Sequence, residues 1–231
     1  MNIQGLQKLT LLDYPGQVAC TVFTGGCNFR CPFCHNGQLA ISPRLSPAIT
    51  EEDLVAFLRK RSSILDGVCI TGGEPLLQPD LEEVLKKIRD LGFLIKLDTN
   101  GSFPDRLSHL IRAGLVDYVA MDIKNSPKRY RETAGLPQEY DLQPVRESAA
   151  CLMSGVIACE FRTTVVREYH RPQDIEDIGH WIRGAKRYFL QPFRDSENVI
   201  NKGLHAPDAE EMAALLDRLL PLIPTAKIRG E

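Results

Sequence analysis

Short apolar runs alternate with amphipathic stretches along most of the chain. Residues 17–23, 67–71, 93–97, 116–121, 156–166 and 186–190 are apolar, often β-branched, and bounded by turn residues, which predicts strands. Between them the apolar spacing becomes helical. Thr50-Glu51-Glu52-Asp53 has the form of a capping box, and Leu54, Phe57 and Leu58 begin an apolar face behind it. Residues 79–91 predict a helix with Leu81, Val84, Leu85, Ile88 and Leu91 on one face. Glu82–Lys86 and Glu83–Lys87 pairs lie on another, and Gly92 is the stop. Residues 104–113 predict a helix ended by Gly114, residues 126–154 are loosely helical, and 172–183 form a further helix. A last helix starts near Pro207 and buries Met212, Leu215, Leu216 and Leu219, and residues 225–228 suggest a short strand.

Strand–helix units joined by short loops imply an α/β fold, a parallel sheet with helices outside. About six units fall short of the eight in a closed (β/α)₈ barrel. The pattern alone does not separate an open curved barrel from a flat doubly wound sheet. Residues 1–231 read as one domain, large enough to stand without disulfide staples.

Composition narrows the function classes. A formal charge of −2 carries no basic stripe of the kind a nucleic-acid binder uses. No apolar run reaches the roughly 18 residues of a membrane span, and the first residues lack a signal peptide's apolar core. The seven cysteines are an odd number without a disulfide-framework spacing, which suits a reducing, cytoplasmic setting. Cys20, Cys69, Cys151 and Cys159 read as small buried side chains.

The other three cysteines are different. Cys27, Cys31 and Cys34 are spaced C-x₃-C-x₂-C, with no fourth cysteine at a ligand-like interval. An iron–sulfur cubane normally takes four thiolates, so three leave one iron open to chemistry. A Cys₃His zinc site with His35 is the alternative. His35 directly follows Cys34, and adjacent residues rarely serve one metal comfortably, which favours iron–sulfur.

Polar residues converge at the ends of the expected strands. The first runs into the cysteine loop, and the second into Thr71-Gly72-Gly73-Glu74-Pro75. The third ends in Asp98-Thr99-Asn100-Gly101 and the fourth in Asp122-Ile123-Lys124. The fifth carries Arg162, Thr163 and Thr164, and the sixth ends in Gln191-Pro192. In a parallel β/α array these ends share the face where active sites lie. Taken singly, Gly-Gly-Glu-Pro is also a plain turn, Asp98 to Gly101 a capping turn, and Asp122–Lys124 a surface ion pair. Their convergence on the cysteine loop is what marks a site.

C-x₃-C-x₂-C with Phe33 before the last cysteine resembles the cluster motif of the radical S-adenosylmethionine (SAM) superfamily. The resemblance implies a partial (β/α)₆ TIM-like barrel, a [4Fe-4S] cluster and SAM. In that superfamily the SAM amino and carboxylate groups chelate the open iron, and one electron splits the sulfonium to a 5′-deoxyadenosyl radical. By the same resemblance Gly72, Gly73 and Glu74 would receive the SAM ammonium, and Lys124 or Arg162 its carboxylate. Backbone beside Phe33 would read the adenine, and Asp98, Asn100, Asp122 and Gln191 would complete the cofactor site. A bulky residue at Gly73 is then expected to abolish SAM binding while leaving the cluster.

Leu11-Leu12-Asp13-Tyr14-Pro15-Gly16, Cys34-His35-Asn36, Asp98-Thr99-Asn100-Gly101, Met121-Asp122-Ile123-Lys124 and Tyr188-Phe189-Leu190-Gln191-Pro192-Phe193 extend the likeness. They are similar to the glycyl-radical-enzyme activases, most closely those serving anaerobic ribonucleoside-triphosphate reductase. A glycyl radical enzyme partner and a flavodoxin- or ferredoxin-like electron donor are implied. A pyruvate formate-lyase activase holds a monovalent cation beside the SAM carboxylate. The matching positions are Asp98, Thr99, the backbone near Ala120, and Asp122. Where that relative has a His after its sixth strand, this chain has Arg194. Two rivals remain: a radical SAM enzyme acting on a small molecule, such as a 7-carboxy-7-deazaguanine synthase-like protein, and a metal-binding protein without catalysis.

Overall fold

The computed structural model describes residues 1–43 and 47–230. Eight strands lie in chain order in one sheet: β1 (Ile3–Thr10), β2 (Ala19–Thr24), β3 (Gly67–Gly72), β4 (Leu94–Thr99), β5 (Tyr118–Asp122), β6 (Ala158–Val165), β7 (Tyr188–Pro192) and β8 (Lys227–Ile228). β1 is antiparallel to β2, and every later pairing is parallel. β1 and β8 are the two edges, so the sheet does not close. β2 to β7 are the six parallel strands of a partial (β/α)₆ barrel.

Helices fill each crossover: α1 (Gly37–Ile41) and α2 (Glu51–Arg59), then α3 (Leu81–Asp90), α4 (Pro104–Arg112), α5 (Tyr130–Ala134) and α6 (Gln143–Met153), α7 (Pro172–Trp181), and α8 (Ala209–Leu219). The capping box forms. The Thr50 hydroxyl accepts from Asp53 N at 3.1 Å, and Thr50 N donates back to the Asp53 carboxylate at 3.4 Å. α3 buries Leu81, Val84, Leu85 and Ile88, each worth about 1.5–3 kcal/mol of apolar transfer. Lys86 meets Glu82 at 2.8 Å as the spacing predicts. Lys87, expected to pair with Glu83, instead reaches Glu51 on α2 at 2.7 Å, because the two helices pack side by side.

Three further differences follow from tertiary context. Strand β1 is missing from the sequence reading, since its middle residues are half-buried or exposed and show no sharp alternation. The loosely helical stretch divides into α5 and α6 where Gly135 takes φ +62°. β7 runs on through Gln191 and Pro192, placing both within the strand. Cys20 and Cys69 are buried as expected, but Cys151 and Cys159 are only half-buried. Among the described residues, no helix is long and apolar enough to cross a membrane.

Tyr14 packs at the lower end of the barrel. Its ring packs with Ala19, Leu94 and Tyr118 at the starts of β2, β4 and β5, and lies 6.0 Å from the Tyr118 ring. On the far side Glu160 of β6, 1% exposed, receives a bidentate Arg229 at 2.6 and 2.8 Å and the Tyr118 hydroxyl at 2.9 Å. Arg229 also stacks on Phe189, 3.5 Å from the ring centroid. This latch fastens the segment after β8 to the barrel interior. Burial pushes the Glu160 carboxyl up, but Arg229, Arg162 and Lys96 outweigh it and hold it below the usual carboxylate range.

Removing Arg229 strands a buried carboxylate. Arg229→Met is expected to cost about 3 kcal/mol near neutral pH, read as a fall in the urea midpoint. Because the folded-state pKa of Glu160 is depressed, its contribution is present above the ordinary carboxylate pKa and fades as pH falls through the folded value. The difference between wild type and variant should therefore shrink on acidification below pH ~4.5. A gap that stays constant would contradict the latch.

Candidate active site

The cysteine loop leaves the end of β2 and is held mainly by backbone contacts. Glu74 N donates to Gly26 O at 2.8 Å, and Gly73 N to Thr24 O at 2.9 Å. Arg30 folds its guanidinium onto the carbonyls of Cys27 and Phe29, the latter at 2.8 Å. Arg30 N and the Cys31 thiol both meet Ala134 O, at 3.0 and 3.7 Å, so the end of α5 supports the loop from below. A side chain on Gly135 would collide with Arg30 O at 2.1 Å.

Cys27 and Cys34 are half-buried and Cys31 is buried. Burial pushes the free Cys27 thiol up to about 11 and Cys31 to about 12, while the nearby Lys124 charge acts against this on all three cysteines. Among the described residues, no three His, Cys, Asp or Glu side chains come close enough to hold a single metal ion. The three cysteines line one cavity. His35 is engaged elsewhere: it stacks on Phe193 at 5.5 Å, and its Nε2 lies 2.5 Å from Arg194 O.

The Gly-Gly turn has a structural duty beside its expected one. A Cβ on Gly73 would stand 1.9 Å from Gly26 O, and one on Gly72 2.3 Å from Thr24 N. Gly72 also takes φ +119°, a conformation side chains rarely adopt. Gly73 is demanded by the start of the cysteine loop and Gly72 by the end of β2, before any ligand arrives. The expectation that a bulky Gly73 spares the cluster is therefore revised, since Gly26 and Cys27 would have to move. Glu74 does not line the cavity. It is fully buried behind the turn, where its carboxylate accepts from Leu76 N (3.0 Å), the Thr99 hydroxyl (2.9 Å) and Asn100 N (2.7 Å). Burial pushes Glu74 up to about 7, with these donors pulling the other way.

The strand ends β4, β5 and β6 bring a charge array together. Arg162 bridges Asp122 Oδ1 at 2.9 Å and Asp98 Oδ2 at 3.1 Å. Lys96 bonds the other Asp98 oxygen, and Lys124 the other Asp122 oxygen at 3.0 Å. For both aspartates burial pushes the carboxyl up, but Arg162 and the adjacent lysine overcome it and hold each below its usual range. Thr99 spends its hydroxyl on Glu74 and on Gly101 N at 3.1 Å. Ala120 sits mid-ladder between Asp98 and Glu160. The Asp98, Asp122 and Thr99 oxygens expected beside a monovalent cation are thus hydrogen-bonded within the protein.

A cavity of ≈ 390 Å³ opens above this array. Its lining includes Cys27, Cys31, Cys34, Phe33, Gly72, Gly73, Asp98, Thr99, Asn100, Asp122, Lys124, Arg162 and Gln191, and also Asp13, which the sequence reading did not place there. Of the expected site residues, Glu74 and Ala120 are not on its wall, and Arg194 turns away to Gly230 O. Sequence reasoning missed several supports. Asn36 donates to Gly72 O at 3.1 Å, and Asn28 and Asn100 join at 2.9 Å across the cysteine loop. His170 is buried, accepts from Val166 N at 3.1 Å, and meets Lys124 O at 2.8 Å, with its ring against Phe33. Only Asn36 had a local signal, its place two residues after Cys34. His170 lies 46 residues from its partner Lys124.

The radical SAM superfamily pattern matches residues 21–181. A Methanocaldococcus jannaschii protein assigned to the glycyl-radical enzyme activating enzymes is 31% identical over 220 residues, 92% of this chain and 89% of that protein. A 7-carboxy-7-deazaguanine synthase of Methanopyrus kandleri is 32% identical over 143 residues, 54% of each chain. Among solved structures, a radical SAM methyltransferase from Sphaerobacter thermophilus superposes with TM-score 0.74 at 16% identity, over 96% of this chain and 68% of the other. The chain belongs to the radical SAM superfamily, and membership implies a [4Fe-4S] cluster and SAM binding.

Gly73→Leu is expected to lose the cluster together with SAM binding. After anaerobic reconstitution its iron content and brown absorbance should fall well below wild type, with the far-UV circular dichroism retained. A fully loaded Gly73→Leu protein that merely fails to bind SAM would restore the original expectation.

Proposed function

We propose that this chain is a glycyl-radical-enzyme activase. The observation that carries the reading is its near end-to-end match to the M. jannaschii relative, where the deazaguanine synthase matches over about half of each chain. The cavity, ≈ 390 Å³, lies within the range of ligand pockets, about 300–1,000 Å³. On this reading a glycine on a partner's chain approaches SAM from the cavity mouth.

When bound, the reduced cluster and SAM supply a 5′-deoxyadenosyl radical that removes one hydrogen atom from the target glycine. The protein's own residues hold and orient. Cys27, Cys31 and Cys34 would ligate three irons and leave the fourth to SAM. Gly72 and Gly73 offer backbone acceptors to the SAM ammonium, with Asn36 fixing the Gly72 carbonyl. Arg162 and Lys124 face the carboxylate, and the Phe33 backbone and Gln191 border the nucleoside. Asp98 and Asp122 hold the cationic groups in place, and Asn100 ties β4 to the cysteine loop. Glu74 acts at one remove, by securing the turn and the end of β4 to one another. Alignment of this kind supplies the entropic part of catalysis, and walls of Phe33 and Phe29 keep water off the reacting atoms.

The proposed partner is an anaerobic ribonucleoside-triphosphate reductase, and the proposed donor a flavodoxin- or ferredoxin-like protein in the reducing cytoplasm. Anaerobically reconstituted protein with dithionite and SAM should form 5′-deoxyadenosine when the reductase is added. A glycyl EPR signal should then appear on the reductase, and a Cys27, Cys31 and Cys34→Ala triple variant should give neither. SAM cleavage coupled only to turnover of a small molecule, with no radical on any glycyl radical enzyme, would move the assignment to the synthase class.

A further inference from the structure

We propose that His170 is a positioning residue of the SAM site, whose imidazole fixes Lys124 on one side of the cavity relative to Phe33 on the other. This role rests on the SAM-site reading of the ≈ 390 Å³ cavity. Lys124 and Phe33 are on the cavity wall, and His170 stands behind them, between β6 and α7, with 5% exposure. Its two ring nitrogens have fixed duties. Val166 N can only donate, so Nδ1, 3.1 Å away, is the acceptor. Lys124 O can only accept, so Nε2, 2.8 Å away, carries the proton. The Val166 carbonyl, 3.3 Å from Nδ1, already takes His170 N at 2.9 Å. Burial pushes the imidazole below its ordinary range, against the pull of both backbone partners, and so favours this neutral form.

The bond to Lys124 O falls where the sheet stops holding the chain. β5 ends at Asp122. Beyond it, Ile123 O accepts from the Thr163 hydroxyl at 2.7 Å, Lys124 O from His170, and the Asn125 amide donates to Tyr169 O at 3.0 Å. The segment after β5 is thus fastened residue by residue to β6 and the segment after it. His170 holds the one residue of the three whose side chain reaches the cavity, where Lys124 Nζ bonds Asp122 at 3.0 Å. The same ring meets Phe33 edge-on, with centroids 6.2 Å apart, and Tyr169 flanks Phe33 at 6.1 Å. One imidazole therefore links the loops that follow β2 and β5. SAM carries its carboxylate at one end and its nucleoside at the other. A site that meets both at once gains affinity when the spacing of its two sides is set in advance.

The test compares wild type with His170→Gln, His170→Asn and His170→Phe, each cluster-loaded without oxygen, for SAM Kd, iron content and Tm. The Gln amide reaches the place of Nε2 and can donate to Lys124 O, but leaves Val166 N without its acceptor. The Asn amide reaches only the place of Nδ1, so it serves Val166 N and abandons Lys124 O. Phe fills the space, keeps a ring against Phe33 and makes neither bond. His170→Gln should bind SAM within about threefold of wild type despite a lowered Tm, because the pre-set spacing survives. His170→Asn and His170→Phe should bind it roughly tenfold more weakly, with Asn keeping a Tm closer to wild type than Gln does. Iron content should be equal in all four. A merely structural histidine would give affinities that follow Tm across the series, and that result overturns the proposal, as does wild-type affinity in His170→Phe. Should His170→Phe fail to fold, the Gln and Asn variants decide between them. Should SAM bind to none of the four, the SAM-site reading fails separately. The placement of Lys124 is then judged by amide hydrogen exchange over residues 124–130 without SAM. Faster exchange in Asn and Phe, restored in Gln, upholds it, and equal rates in all four overturn it.

Discussion

The active site depends on one backbone contact, between the start of the cysteine loop and the turn that follows β3. Gly26 O receives Glu74 N, and Gly73 lies where any side chain would strike Gly26. This contact sets where Cys27 begins and where the Gly72 carbonyl points. Glu74 extends it sideways by taking three donors from its own turn and from the end of β4. Two loops far apart in sequence become one rigid rim. The three cysteines and the Gly-Gly backbone cannot then move independently.

Below that rim the barrel interior is polar, which is unusual for a buried layer. Lys96, Asp98, Asp122, Lys124, Arg162 and Glu160 occupy space that a structural barrel would give to branched apolar residues. Such charges are tolerated because each is paired and the pairs are chained across neighbouring strands. Parallel registry makes the chain continuous: Asp98, Ala120 and Glu160 are in line across β4, β5 and β6, and Asp122 is level with Arg162. The consequence for function is a preformed electrostatic floor. It does not wait for a ligand to organise it.

Much of this was legible in the sequence, wherever the cause is local. Alternating strand and helix signals placed the parallel strands, and the box at Thr50 and the apolar face from Leu81 to Ile88 formed as spacing demanded. The strand-end residues were found because parallel topology sends all such ends to one face. What escaped is non-local. β1 depends on pairing with β2 for its identity. Glu74 was expected on the wall because the turn was known but not its depth. Lys96 and Cys69 looked like ordinary strand positions, and only neighbouring strands reveal that both point inward. His170 and Arg229 act on partners dozens of residues away.

Tyr14 has one further consequence. By packing against Tyr118, Ala19 and Leu94, it fills the barrel end opposite the cysteine loop with aromatic bulk. Asp13, its neighbour in the chain, is thereby set inside the barrel, where it joins the cavity wall and accepts from the Thr21 hydroxyl. The anchor at the base thus also seats an acidic group within the chamber.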